Sequence, residues 1–155
     1  MSKNYLGNLL EWKDVLDKLE AIRKDGMIDT IQDELVRILR YKKNWKLVEA
    51  VLESISEIRE PSNNLIKEVF NTAIDYQACL DTRIMAINSL GMMLSSLSNS
   101  KENETCIKSK TYVDMMHQLL NTPQPPIFHN AISKVIVKLN NEKECAQAGE
   151  SGIEP

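Results

Sequence analysis

The feature that most constrains this chain is one apolar register that occurs three times. Leu47, Val48, Val51 and Ile55 stand at the spacing of a single helix face. Ala86, Ile87, Leu90 and Leu94 repeat it 39 residues on, and Ala131, Ile132, Val135 and Leu139 repeat it after a further 45. The polar connection 98–104 takes up the excess. A recurrence of this length predicts a supersecondary unit that cannot bury its face alone and stacks on its own copies. Carried backward, the offset brings in Leu9, Trp12, Leu16 and Leu19, so residues 5–23 read as an N-terminal capping helix.

Each copy is expected to be the second helix of a pair. A stripe of Ile28, Ile31, Leu35, Ile38 and Leu39 precedes a break at 41–44 and a helix over 45–58. A helix over 65–74 is followed, across a turn at 77–82, by one over 83–97. A third pair joins 112–120 to 127–139 across 121–126. Start signals are read at Thr30 with Asp33 and at Thr111 with Asp114, as capping boxes, and at Asp81 as an N-cap. Pro61 and the pair Pro125 and Pro126 fall where proline is tolerated, outside a helix or in its first turn. With five Gly and five Pro in 155 residues, the chain lacks the punctuation of an all-β protein.

The expected fold is therefore all-α: a short α-solenoid of about three antiparallel helix pairs with a capping helix, and an irregular helical bundle as the alternative. Residues 1–141 form one helical-repeat domain, with the cap at 5–23 and repeats at 27–59, 63–98 and 108–141. Residues 142–155, with two Gly and one Pro and little apolar content, read as a flexible tail.

The stretch 80–94 resembles the second helix of a HEAT repeat, in the armadillo-type α-solenoid family. Asp81, Arg83, Ile84, Ala86, Leu90, Gly91 and Leu94 stand close to that pattern, with the arginine and the aliphatic residue in reversed order. The other copies keep the apolar register, and the third also keeps Ala131. The resemblance implies stacked helical hairpins, a close helix approach at Gly91, and a binding surface lined by second helices. The 39- and 45-residue offsets lie close to the period of such repeats, about 40 to 47 residues.

Charge and motifs narrow the function. A net charge of −3 argues against a dedicated phosphate-backbone binder. No phosphate loop, nucleophile elbow or HExxH motif is present, so no catalytic residue is nominated and the expectation is not an enzyme. Three well-separated cysteines, Cys79, Cys106 and Cys145, give neither a disulfide framework nor a zinc pattern, and a reducing cytoplasm fits them best. His117 and His129 lack metal-ligand spacing and read as partly buried helical histidines. No cofactor, metal or membrane span is expected.

Two surfaces remain as binding candidates. Met85, Ser89, Met92 and Ser96 form a second, smooth face beside the core stripe, and with Glu49, Glu53 and Lys134 they outline a site for a protein or peptide. Arg40, Lys43 and Lys46, within a basic run interleaved with Tyr41 and Trp45, outline the nucleic-acid alternative. Acidic residues at 49, 53, 57 and 60 follow directly, so local charge balance weighs against it. The function expected is a non-enzymatic scaffold or adaptor. An enzyme or lyase subunit on the same scaffold stands as a second alternative by analogy of fold alone. Leu6, Leu9 and Trp12 either cap the stack or meet another copy, leaving monomer and homodimer open.

Overall fold

A computed structural model describes residues 5–98 and 103–151, with side chains over 5–97 and 108–142. Among the described residues there are seven α-helices and no strand: α1 (Trp12–Lys24), α2 (Gln32–Arg40), α3 (Trp45–Ser54), α4 (Asn63–Ala73), α5 (Leu80–Ser98), α6 (Asn103–Leu120) and α7 (Pro126–Ser151). Short 3-10 turns at Ile28–Ile31 and Ile55–Glu57 lead into α2 and out of α3. The all-α class follows from what fills the helices. Every position of the thrice-repeated register is buried, from 0% exposure at Leu47 to 9% at Ala131.

The chain divides into two compact units, residues 1–93 and 94–155. The single domain expected over 1–141 is thus parted within the second repeat, between Met93 and Leu94.

In the first unit α2 packs against α3 and α4, and α1 packs against α3. Hydrogen bonds connect these elements in a regular order. Near the start of α2 the Gln32 side-chain carbonyl accepts from the Ser62 amide at 2.7 Å, and the Asp29 carboxylate accepts from the Arg59 amide at 2.9 Å. Toward the other end Arg40 donates to Glu68 on α4 at 3.0 Å. Between α3 and α5, Thr82 donates to Glu49 at 3.4 Å and Ser89 to the Leu52 carbonyl at 3.1 Å. Arg83, 5% exposed, donates to the last carbonyl of α4, at Ala73, at 2.9 Å and lies over the Tyr76 ring. Its buried charge is thereby hydrogen-bonded.

Helix ends have local causes. Asn44 caps α3 by accepting from the Lys46 amide, and Ser62, just after Pro61, caps α4 by accepting from the Leu65 amide. Gly26 closes α1 with φ +69°: the Met27 amide reaches the Ile22 carbonyl and the Gly26 amide reaches Arg23, both at 3.1 Å. This is the pattern of a Schellman C-cap.

Several sequence expectations are corrected here. The capping helix begins at Trp12 rather than at residue 5, because Gly7 adopts φ +79° and the Asn8 side chain takes the Leu10 amide in a local turn. Leu6 and Leu9 are nevertheless buried. The Thr30 and Asp33 capping box does not form; Thr30 donates back to the Met27 carbonyl at 2.6 Å while a 3-10 turn precedes α2. Thr111 and Asp114 lie inside α6, and Asp81 lies within the first turn of α5 rather than at its cap.

In the second unit α6 packs against α7 around Val113, Met116, Phe128, Ile132 and Ile136, all buried. Pro126 opens α7 at the first helical position, where its missing N–H costs nothing. The expected tail is corrected over 142–151: α7 continues to Ser151, and Glu142 accepts from Ser95 at 2.7 Å. Apolar periodicity fades there, but glutamate, lysine, alanine and glutamine are good helix formers. The rest of that tail, 152–155, lies outside the described residues.

Candidate functional site

Of the residues outlined for a protein or peptide site, the structure leaves some open and closes others. Met92 is 38% exposed and Met85 is half-buried on α5. Ser89 is 2% exposed and engaged with the Leu52 carbonyl, so it ties α5 to α3 instead of facing a partner, which corrects its assignment. Glu49 is half-buried against Thr82. Glu53 is exposed on α3. Ser96 and Lys134 belong to the second unit, where Ser96 is half-buried and Lys134 exposed.

The basic run is largely engaged by the chain itself. Arg37 pairs with Glu34 at 2.6 Å and reaches the Gly7 carbonyl at 2.9 Å; Arg40 pairs with Glu68 at 3.0 Å and Lys42 with Asp75 at 3.1 Å. The Lys46 ammonium lies 5.1 Å from the centre of the Trp12 ring. Lys43 is exposed. Arg40, Lys42 and Lys46 thus reach other helices and loops of the first unit, through Glu68, Asp75 and Trp12, and not the acidic residues at 49, 53, 57 and 60 that follow the run in sequence. Both histidines are exposed, not half-buried as expected. Among the described residues no cluster of three or more histidine, cysteine or acidic side chains could hold a metal ion. No described helix is long and apolar enough to cross a membrane.

A concave feature of the first unit lies between α1 and α3. It is an open groove of about 630 Å³ lined by Leu16, Leu19, Glu20, Arg23, Lys24, Ala50, Glu53 and Glu57. Its floor is apolar: Leu19 is buried, and Leu16 and Ala50 are half-buried. Its rim is charged. Arg23 donates to both carboxylate oxygens of Glu57, at 2.8 to 3.2 Å, in a forked geometry. Glu57's hydrogen bond, and then the fields of Glu57, Glu53 and Glu20, hold the Arg23 guanidinium above its ordinary pKa against the opposing effect of burial. Lys24 approaches Glu20 at 3.6 Å along the same rim, where both are largely exposed.

Of these lining residues only Glu53 is among the binding residues expected from sequence. Arg23 and Glu57 stand 34 residues apart, and no local motif joins them. The signal that could have paired them is the register linking 9–19 to 47–55, which sets the α1 stripe in correspondence with that of α3. No protein-family model, no curated protein and no solved structure matches this chain.

Proposed function

We propose that this protein is a non-enzymatic module of HEAT-like, solenoidal build that binds a protein or peptide in the groove between α1 and α3. The observation that carries the proposal is the groove itself: an apolar floor between two helices, open to solvent, with a charged rim. That combination suits a segment presenting alternating apolar and polar side chains. Four of its five charged side chains are engaged with one another, Arg23 with Glu57 and Lys24 with Glu20, which favours a recognition surface over a reacting centre.

The order of contacts in the first unit supports the solenoidal part of this reading. Trp12 and Lys46 meet near the starts of α1 and α3, and Arg23 and Glu57 meet near their ends. Gln32 meets Ser62 near the starts of α2 and α4, and Arg40 meets Glu68 farther along both. Glu49 and Leu52 on α3 meet Thr82 and Ser89 on α5 in the same order. Helices one repeat apart therefore run in the same direction, α1 with α3 and α5, and α2 with α4. This is the layering that stacked helical hairpins produce.

The test is affinity capture with the wild-type chain and with Ala50→Gln, which lengthens a half-buried side chain on the groove floor without adding charge. The expected result is a partner held by the wild type and lost by the variant, with circular dichroism and melting temperature unchanged. A partner held equally by both would remove the groove from the proposal.

A further inference from the structure

The groove is not electrically neutral, and its resident arginine shows what it accepts. Three carboxylates, Glu20, Glu53 and Glu57, line it against two cations, Arg23 and Lys24. The Lys24 side chain is 76% exposed and 3.6 Å from that of Glu20, 67% exposed, so it screens the groove weakly. Glu53 has no ion-pair partner among the described residues. Arg23 reaches across from α1 to sit on Glu57, with the guanidinium forked on both oxygens and side-chain exposures of 30% and 40% for the pair. A guanidinium is thus already seated at the rim by an arm of the protein itself, one turn from Glu53, a carboxylate with no ion pair of its own among the described residues, and beside the apolar floor of Leu16 and Ala50.

We propose that the partner's docking segment is a basic amphipathic helix, whose apolar side seats over Leu16 and Ala50 and whose lysine or arginine takes Glu53 and Glu57 by displacing Arg23. This rests on the groove reading above and adds to it the chemistry of the partner and a resident competitor. A helix is the occupant because the groove runs between two helices whose starts and ends are in step, so a third helix can lie along both. Positive charge is the complement of the surplus carboxylate. The Arg23 arm makes recognition competitive: it shields Glu57 when the groove is empty and must release it when a partner cation arrives.

The probe is a labelled helical peptide of about 16 residues, roughly 24 Å long as a helix and so long enough to overlie the 16–24 stretch of α1 that lines the groove. It carries leucine at i and i+4 spacing with lysine on either flank, and a twin carries glutamate in place of lysine. Binding is read by fluorescence anisotropy at low salt. The lysine peptide is expected to bind the wild type and the glutamate twin to bind at least about tenfold more weakly. Glu53→Lys should weaken the lysine peptide by about tenfold, whereas Asp114→Lys, an equal change in net charge at an exposed site on α6, should change it by less than about twofold. Arg23→Ala should tighten binding by about threefold or more, because the competing guanidinium is gone.

The proposal is overturned if Glu53→Lys and Asp114→Lys weaken binding equally, since general attraction to an acidic chain then suffices. It is also overturned if Arg23→Ala weakens binding, if the lysine peptide does not bind, or if the glutamate twin binds as well. Ala50→Gln, with Leu16→Gln as a second floor variant, separates the two levels. Peptide binding that ignores charge but is lost in both floor variants overturns the basic partner and leaves the groove. Binding that survives both floor variants overturns the groove as well.

Discussion

Gly26 ends α1 in a left-handed conformation, and beyond its own chain neighbours no atom lies within 4 Å of where a Cβ would stand. Any cost of a side chain there is therefore backbone strain alone. Gly26→Ala is expected to lower stability by about 1 kcal/mol in urea denaturation. Ser89→Ala should cost a similar amount, about 1 kcal/mol, by removing the donor to the Leu52 carbonyl between α3 and α5. Met92→Glu, at an exposed position three residues on, should leave the melting temperature near that of the wild type. The pair separates what spacing reveals from what it does not. Met92 and Ser89 share a helical face by periodicity, yet one is open and the other closed, because α3 covers the first half of that face. Spacing places residues on a side of their own helix; only the neighbouring helix decides which are covered. The same holds for Thr30, whose residue pattern fits a capping box but whose hydroxyl is drawn back by a 3-10 turn.

At the scale of elements, the loops after α2 and after α4 are joined by Lys42 and Asp75 at 3.1 Å. Burial opposes the charged carboxylate of Asp75, but the Gln77 amide and Lys42 outweigh it and hold its pKa below the usual 3.8. A folded value below the unfolded one means that this group stabilises the fold at neutral pH. That contribution fades as pH falls from the ordinary carboxylate range through the lowered folded value. Asp75→Asn should therefore reduce stability at neutral pH by on the order of 1 kcal/mol or less, with the difference from wild type vanishing in strong acid. Equal differences at pH near 7 and near 2 would show that the pair acts through shape and not charge. The elements themselves were legible wherever an apolar stripe and a break coincided, as at α2, α3 and α4. They were misjudged where helix is sustained by propensity alone, beyond Leu139 in α7, and where a glycine turn interrupts a stripe, before Trp12. The α1–α3 groove was half legible: the register puts the two helices side by side, but the long-range pairing of Arg23 with Glu57 has no local signature.

At the scale of the molecule, the thrice-repeated register is buried throughout, in both units, while the chain parts between Met93 and Leu94, inside what sequence spacing treats as one repeat. Periodicity records which faces are buried and carries no record of where one packed body ends. The groove belongs wholly to the first unit, and Lys134, an exposed residue of the second, belongs to the other outlined surface. A photoreactive side chain placed at Ala50, with a second placed at Lys134 for comparison, tests the groove most directly in the intact protein. A partner cross-linked from position 50, with the cross-link prevented when an excess of the lysine peptide is present during irradiation, is the predicted result. Cross-links that form from position 134 and not from position 50 would contradict it.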